Sequence, residues 1–418
     1  MTTAVPYETY RPSEDRWLGD IPAHWGTPAI SRLARIRNGS DYKHVETDDE
    51  GGFPVIGSGG PFARSTEFLY DRETVLLGRK GTIDRPLYWN GPFWAVDTMF
   101  YTEIGPDLDS KFFYYFATHI DFGFFSTNTA LPSMSGSDIR AIRLAHPPLD
   151  EQRQIAEYLD RETGKIDELI TKHEQLVDRL QQRHRSAIFR LVTKGINPSA
   201  PLKTAPFIWW GEIPEHWTMP KVSFHYSVVL GKMLDAARSE KPGDVLMPYV
   251  RAGNIQEAGL ELGDLNEMPF SPDEVAALDL RKGDLLVVEG GAVGVNYLIS
   301  EPIENVSFQK TVNRVRALDR SSTRFLGYAL DVLRFSGVID MLCNKSTIAH
   351  LTADKLGRIN IPYPPVGEQE KIVELLELET AKLDQLASSA RNVINVLHER
   401  RAALISAAVT GKIDVRGL

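Results

Sequence analysis

The chain has 418 residues, of which 42% are hydrophobic and 25% are charged, and 47 basic against 56 acidic residues give a net charge of −9. This composition is typical of a globular protein of two or three domains, and neither a secretory signal nor an apolar run of roughly 18 residues, the length of a membrane span, is visible. The single cysteine, Cys343, excludes an intrachain disulfide or thiolate cluster, so we expect a cytoplasmic protein without a bound metal.

The first part of the chain has the pattern of an α/β domain. A short apolar run, Val75–Leu77, enters the turn Gly78-Arg-Lys-Gly81, which is typical of a strand followed by a glycine turn. Residues 110–119 have the spacing of an amphipathic helix, and residues 135–144 predict a capped helical turn followed by a strand. The aromatic residues between 112 and 125 are predicted to form core and not a platform for stacked bases.

A long helix follows Pro147-Pro148 and is predicted to end near Gly195, where glycine can adopt the left-handed stop conformation. Its length of roughly 45 residues corresponds to about 65 Å at about 1.5 Å per residue. Apolar residues at alternating intervals of three and four predict one stripe of a coiled coil. The stripe consists of Ile155, Leu159, Ile166, Leu169, Leu176 and Leu180, and is interrupted by Glu162 and His173.

The second part of the chain shows the same order of elements. Residues 284–288 predict a strand before a glycine turn, residues 324–335 an amphipathic helix, and residues 352–361 a capped helical turn followed by a strand. A second long helix follows Pro364-Pro365 and is predicted to end near Gly411. Its predicted stripe is Ile372, Leu376, Glu379, Leu383, Leu386, Ala390, Val393, Leu397 and Leu404. Two such helices most simply bury their stripes against each other.

Three stretches of sequence recur in the same order, which indicates an internal duplication. The matching pairs are residues 17–25 with 209–217 (Trp-x-Gly-Asp/Glu-Ile-Pro-x-His-Trp), 147–170 with 364–387 (twelve of 24 positions identical), and 192–196 with 409–413. The last two pairs have an offset of 217 residues and the first an offset of 192, so the second copy is 25 residues longer. Residues 27–130 and 219–347 show little similarity. Two constant scaffolds therefore carry two variable inserts.

The sequence lacks a recognisable catalytic constellation. Neither His146-Pro-Pro-Leu149 nor Tyr363-Pro-Pro-Val366 has the leading amide or carboxylate and the stacking aromatic of an amino-methyltransferase motif. Neither a Gly-x-x-x-x-Gly-Lys-Ser/Thr phosphate loop nor a His-Glu-x-x-His metal motif occurs. Asp109-Ser-Lys111 is similar to the end of a nuclease motif but lacks the upstream acidic residue. We therefore predict that the chain is not an enzyme.

Over essentially its whole length, the chain resembles the specificity subunits of type I restriction–modification systems. The resemblance lies in the tryptophan motifs at 17–25 and 209–217, the loops at 57–60 and 78–81, and the Pro-Pro-x-x-Glu-Gln openings at 147–152 and 364–369. One such motif is weak evidence, whereas two full sets in order are strong. The resemblance implies an α+β fold in which two α/β target-recognition domains are joined by two long antiparallel coiled-coil helices, as a pseudo-twofold internal repeat.

The resemblance also implies the domain boundaries and the partners. The expected parts are a first target-recognition domain at 1–146, a first helical spacer at 147–197, a second recognition domain at 198–363 and a second spacer at 364–418. The partners would be double-stranded DNA with a bipartite site, two methyltransferase subunits and restriction/translocase subunits. S-adenosylmethionine, ATP and magnesium would bind those partner subunits, with no cofactor in this chain. Half-sites one duplex turn apart lie about 34–36 Å from each other, a distance that helices of about 65 Å can span.

Candidate DNA-reading residues are polar side chains in or beside glycine loops, since arginine or lysine pairs with guanine and asparagine or glutamine with adenine. They are Ser58, Arg64, Arg79, Lys80, Arg251, Asn254, Gln309, Lys310, Asn344 and Lys345. For each of them an ordinary loop or salt-bridge role is the alternative. A second group, Glu151, Gln152, Glu368 and Gln369, recurs at the helix starts, where such residues cap and orient the first turn. The helices that they begin are the expected docking face for the methyltransferases.

Two other functions are compatible with parts of the sequence. A self-contained enzyme acting on nucleic acid would be active alone, and the missing motifs count against it. A coiled-coil adaptor that binds only proteins is favoured slightly by the net charge of −9, because nucleic-acid binders usually carry a basic face. Two dissimilar inserts favour DNA reading, since an adaptor has no evident need for two different heads.

Overall fold

The computed structural model describes residues 5–13, 15, 17–125, 133–234, 242–257, 259–343 and 349–418. The chain divides into two compact units, one formed by Met1–Gln175 with Arg391–Leu418 and the other by Leu176–Ala390. Each unit contains one variable insert, the beginning of one long helix and the end of the other. The division into four parts at residues 146, 197 and 363 stays a prediction.

The first unit combines short strands with helices. Its strands are β1 (Tyr10–Pro12), β2 (Asp20–Pro22), β3 (Ala34–Asn38), β4 (Glu46–Thr47), β5 (Phe53–Gly57), β6 (Gly60–Ser65), β7 (Tyr70–Asp71), β8 (Thr74–Gly78), β9 (Leu87–Trp89), β10 (Pro92–Ala95) and β11 (Met99–Ile104). Its helices are α1 (Ser110–His119), α2 (Phe122–Phe125), α3 (Gly136–Ala141) and the first part of α4 (Leu149–Lys194).

The second unit is built in the same way. Its strands are β12 (Leu202–Thr204), β13 (Glu212–Pro214), β14 (Tyr226–Leu230), β15 (Val245–Val250), β16 (Ile255–Gln256), β17 (Gly259–Leu260), β18 (Asn266–Phe270), β19 (Leu285–Val288), β20 (Asn296–Leu298), β21 (Ser307–Phe308) and β22 (Val312–Ala317). Its helices are α5 (Val222–His225), α6 (Pro272–Ala277), α7 (Thr323–Phe335), α8 (Val338–Leu342), α9 (Ala353–Arg358) and the first part of α10 (Val366–Val409).

The two variable inserts share one strand topology although their sequences have diverged. The four-stranded sheet has the order β3-β11-β8-β9 in the first unit and β14-β22-β19-β20 in the second. A second sheet contains the order β6-β5-β10 in the first unit and β18-β15-β21 in the second. In each of these sheets the last two of the three strands are parallel. The first unit adds β4 and β7 to this sheet, whereas the second adds the separate hairpin β16–β17. The duplication therefore covers the variable inserts as well as the helices.

The elements predicted from apolar spacing form where the spacing placed them. Strands β8 and β19 are completely buried, which agrees with their uninterrupted apolar sequence. Helices α1 and α7 cover the sheets, and each begins at a side-chain N-cap, Asp109 or Ser322. The aromatic cluster of the first unit is core as predicted, except that Phe124 is exposed.

The prediction of a strand after each capped helical turn is wrong. Ser135 and Thr352 cap α3 and α9 as expected, but the segments that follow form isolated bridges and not a named strand. The bridges join Arg143 to Ala29 and His146 to Gly26 in the first unit, and Asn360 to Lys221 and Tyr363 to Thr218 in the second. Each segment runs directly into a Pro-Pro pair, and proline has no N–H with which to continue a ladder.

Helices α4 and α10 have the predicted lengths of 46 and 44 residues. In the first unit they run antiparallel, with Ile155 in one cluster with Ile405 and Ile170 in another with Leu397. Their antiparallel course in the second unit is marked by an Arg190–Glu379 ion pair of 3.4 Å. Among the described residues, neither of these helices nor any other combines the length and hydropathy needed to cross a membrane.

The predicted stripe is wrong by one position in the middle of each helix. Leu169, Leu176, Leu386 and Val393 are exposed, whereas their neighbours Ile170 and Ala387 are buried. Near the helix starts the buried positions follow two successive intervals of four, which include Thr163 and Thr380. Because a straight helix has 3.6 residues per turn, these intervals rotate the buried face away from a strict heptad grid.

Each long helix ends on the tryptophan motif of the other repeat. Gly411 ends α10 in the first unit with a φ of +71°, and a Cβ there would lie 2.3 Å from Cδ of Pro22. Gly195 ends α4 in the second unit with a φ of +68°, and its Cβ would lie 2.9 Å from Cζ2 of Trp217. Glycine is required at both positions by the left-handed backbone and by the close approach.

The substitution Gly411→Ala is expected to lower the free energy of unfolding by about 2–4 kcal/mol, because a steric clash is added to left-handed strain of about 1–2 kcal/mol. Gly417 is the matched control, since its φ is +83° but no atom lies within 4 Å of its Cβ position. Chemical denaturation of both variants measures the difference. Equal losses would show that the contact with Pro22 contributes nothing.

Candidate nucleic-acid interface

A carboxylate in the first turn of α4 holds the tryptophan motif of the first domain. Glu151, only 6% exposed, accepts hydrogen bonds from the Tyr7 hydroxyl (2.6 Å) and the Trp25 indole (3.1 Å). Its second oxygen lies 2.9 Å from Nε2 of His24. Burial and the hydrogen bond to Glu151 raise the pKa of Tyr7, so its hydroxyl remains a donor.

The same arrangement recurs at the start of α10. Glu368 accepts from the Trp217 indole at 3.1 Å and lies 2.9 Å from Nε2 of His216. The repeated Glu, His and Trp residues of the two sequence motifs are therefore one contact, made twice. This contact explains why the motif and the helix opening recur together in the sequence.

The neighbouring glutamines join each long helix to the helix that covers the sheet. Oε1 of Gln152 accepts from the backbone N–H of Asp109 at 2.8 Å, and its amide donates to Pro147 at 2.9 Å. Gln369 forms the same pair of hydrogen bonds. Its Oε1 accepts from the backbone N–H of Ser322 at 2.9 Å, and its amide donates to the carbonyl of Pro364 at 2.9 Å. We call Trp25, Glu151 and Gln152, with Trp217, Glu368 and Gln369, the anchors of the two domains.

The contacts of the anchors agree with the predicted orienting role of Glu151, Gln152, Glu368 and Gln369 at the helix starts, and this role and their docking role stay predictions. Gln152 and Gln369 are fully buried and Glu151 nearly so, which leaves them inaccessible to a partner protein.

The opposite end of each central strand is formed by loops. Strand β11 runs from Met99 to Ile104, and its six residues span about 20 Å. The anchor lies beyond Ile104, whereas β5, β8 and β10 all end beside Met99. Strand β22 has the same relation to β15, β19 and β21. We call this end the outer edge, formed by residues 57–60, 79–80, 96–98 and 133 in the first domain and by 251–254, 289–290, 309–311 and 350 in the second.

Three of the four candidates in the first domain lie at the outer edge. Ser58 is in the turn after β5, and Arg79 and Lys80 follow β8. Arg64 lies at the other end of β5, opposite Pro54, and its guanidinium donates to the carbonyl of Gly52 at 2.7 Å. Arg64 is therefore separated from the others although the sequence placed all four beside glycines.

The four described candidates of the second domain lie together. The N–H of Gln309 donates to the carbonyl of Val250, the residue before Arg251, and Lys310 is the exposed next residue. Asn254 is only 3% exposed, and its amide accepts from the N–H of Arg251 and donates to the carbonyl of Asp264, both at 3.1 Å. Its polar atoms thus support the loop and are not available to a base.

The remaining candidates differ in availability. Arg251 is paired with the Asp264 carboxylate at 2.9 Å, which matches the salt-bridge alternative. Lys80 and Lys310 are exposed and, within the part of the chain that the structure describes, neither forms an ion pair. Asn344 and Lys345 lie outside the described residues.

Sequence reasoning missed two residues of the outer edge in the second domain. Glu289 directly follows β19, and its carboxylate lies 3.1 Å from Nδ1 of His350. The signal was available, since His350 and Ser133 each stand two residues before the cap of a helical turn, at Thr352 and Ser135. Aligning the two inserts on these caps pairs the two positions.

Two copies of one scaffold, held by identical anchors and ending in dissimilar polar edges, define a protein with two recognition heads. A family model described as "Type I restriction modification DNA specificity domain" matches residues 22–179 and 227–394, which is more than half of the chain. The chain therefore belongs to the family of type I restriction–modification DNA specificity proteins, and the predicted family is confirmed.

Individual relatives cover nearly the whole chain at low identity. The type I restriction enzyme MjaVIII specificity subunit of Methanocaldococcus jannaschii is 21% identical, over 95% of both chains. The type I restriction enzyme EcoBI specificity subunit of Escherichia coli is 22% identical, over 96% of this chain and 88% of its own. A solved structure described as "Structural basis underlying complex assembly and conformational transition of the type I R-M system" has a TM-score of 0.68 at 14% identity, over 93% of this chain and 98% of that one, and shows the shared fold.

Proposed function

We propose that the chain recognises a bipartite DNA site without catalysing a reaction, with the outer edge of each domain contacting one half-site. The observation that carries this proposal is the contrast between the two ends of each domain. The anchors are the same in both copies, whereas the outer edges differ in almost every side chain. A protein that reads two different half-sites from one scaffold must vary where it meets the bases and can stay constant where it is attached.

The chemistry of the outer edges supports contact with DNA. Lys80 and Lys310 offer exposed ammonium groups for phosphate, and such contacts position a protein on the duplex without reading sequence. Gly59 and Gly253 have no atom within 4 Å of a built Cβ, so these loops are open to a close approach of the backbone. Ser58, Arg79, Arg251 and Gln309 are the remaining candidates for contacts with base edges.

The catalytic partners would bind along the long helices. Each long helix has exposed apolar side chains that a partner protein can cover, Leu169 and Leu176 on α4 and Leu386 and Val393 on α10. We propose two methyltransferase subunits as this partner, with restriction/translocase subunits joining for cleavage in the cytoplasm. S-adenosylmethionine, ATP and magnesium would be bound by those subunits. None of the comparisons supports the alternative function, a coiled-coil adaptor without a DNA role.

Methylation-sensitive long-read sequencing tests this function in cells that express the chain with its methyltransferase, against cells with the methyltransferase alone. We expect methyladenine at a split motif only when the chain is present. Replacing residues 1–146 with the equivalent segment of a relative is expected to change one half of the motif and leave the other unchanged. A change in both halves would contradict the assignment of one half-site to each domain, and the absence of chain-dependent methylation in an assembled complex would contradict the function itself.

A further inference from the structure

The backbone directly after the buried strand β8 is hydrogen-bonded to two other segments, and we call this place the junction. Arg79 donates its N–H to the carbonyl of Thr98 at 2.9 Å and accepts from the N–H of Met134 at 3.1 Å. The next residue, Lys80, forms an isolated bridge with Ser133. The position of Arg79 is thus determined by two segments that both reach the outer edge.

The second domain repeats this junction bond for bond. Glu289 donates its N–H to the carbonyl of Thr311 at 2.8 Å and accepts from the N–H of Leu351 at 2.8 Å. The next residue, Gly290, forms an isolated bridge with His350. Arg79 and Glu289 therefore occupy equivalent backbone positions, and so do Ser133 and His350.

The side chains at these equivalent positions have opposite hydrogen-bonding character. In the first domain the Arg79 guanidinium lies 5.9 Å from the centre of the Phe100 ring, and one of its nitrogens is 3.4 Å from the carbonyl of Asp97. These contacts orient the group, and among the described residues its other N–H donors have no hydrogen-bond partner. A planar fork of donors matches O6 and N7 of guanine in the major groove.

In the second domain the exposed group is an imidazole held by a carboxylate. The Glu289 side chain is 12% exposed and the His350 side chain 47%, so the histidine is the accessible member of the pair. When the neutral ring donates its Nδ1 proton to Glu289, Nε2 is left as an acceptor. An acceptor at this position fits an exocyclic amino group, N6 of adenine or N4 of cytosine.

We propose that this junction is the specificity-determining position of each domain. Arg79 selects guanine in the first half-site, and His350, held in place by Glu289, selects a base with an exocyclic amino group in the second. Glu289 is a positioning residue, because it acts through the histidine. The inference rests on the proposed function, since it requires that the outer edges face DNA.

The test is the methylation motif of single variants, each co-expressed with the methyltransferase. Arg79→Ala is expected to reduce discrimination at one base pair of the first half-site about tenfold or more, which is the usual effect of losing a good base contact. His350→Ala and Glu289→Ala are expected to relax one and the same base pair of the second half-site. His350→Arg replaces the acceptor by a donor fork and is expected to move that preference towards guanine. Binding of the purified complexes to a randomised duplex library gives the same readout where methylation is weak.

Two exposed arginines away from the outer edges serve as controls. Arg35→Ala and Arg320→Ala, beside the ends of β11 and β22 that lie away from the outer edges, are expected to leave both half-sites unchanged. A variant that is merely less stable methylates fewer sites with the motif unaltered. If the wild-type chain directs methylation of a split motif and the Arg79, Glu289 and His350 variants all direct methylation of the same motif, this inference is wrong and the proposed function stands. If the wild-type chain directs methylation of no motif in the assembled complex, both the proposed function and this inference are wrong.

Discussion

An insertion of four residues into each long helix is expected to lengthen the unread DNA between the half-sites by one or two base pairs. One added turn extends a helix by about 6 Å, whereas neighbouring base pairs are about 3.4 Å apart. Helices α4 and α10 each contribute residues to both compact units, so they are the segments whose length can set the distance between the two heads. The motif is measured by methylation-sensitive sequencing, and both half-sites are expected to stay the same.

The register of the helix pair decides where the insertions belong. Asp167 pairs with Arg401 at 2.8 Å, and the antiparallel course continues this register to Gln175 opposite Val393. Insertions after Gln175 and after Asn392 therefore lengthen both helices at one level. An insertion in α10 alone displaces one stripe against the other and is expected to abolish methylation. A spacer that keeps its length in the double insertion would show that the helices do not set the distance.

Loss of the Glu151 carboxylate is expected to cause a large loss of stability in the first domain. Glu151→Ala removes the acceptor of the Trp25 indole and of the Tyr7 hydroxyl, and it creates a cavity between the helix start and the motif. Buried donors without partners cost about 1–3 kcal/mol each, so we expect the free energy of unfolding to fall by about 3 kcal/mol. At about 2–4 °C per kcal/mol for a unit of this size, the thermal midpoint falls by roughly 6–12 °C.

Three further variants separate the hydrogen bonds from other effects. Glu151→Gln retains one acceptor oxygen and is expected to lose less than half as much. Glu157→Ala removes an exposed carboxylate from the same helix and is expected to change stability by no more than about 0.5 kcal/mol. Glu368→Ala is expected to cost less than Glu151→Ala, because its side chain is 19% exposed and accepts from one donor fewer. Equal midpoints for Glu151→Ala and Glu157→Ala would show that the anchor does not hold the domain.

The architecture could be predicted because its signals are local. The paired Pro-Pro-x-x-Glu-Gln openings, the left-handed glycines and the apolar spacing set the limits of α4 and α10 to within a few residues. The candidate site was only partly accessible to the same reasoning. A polar residue beside a glycine can point into the loop, as Asn254 does, or lie at the wrong end of a strand, as Arg64 does.

By itself, the sequence determined the family, the duplication, the long helices and the strands at the centre of each domain, because these depend on short-range periodicity and on motifs that recur. Only the tertiary structure decided which face of each helix is buried, since Leu169 and Ile170 are adjacent apolar residues and packing selects between them. It also decided that each helix ends against the motif of the other repeat, and that Glu289 and Arg79 are equivalent. Contacts between residues hundreds of positions apart arise from how the elements pack, and no local pattern in the chain specifies them.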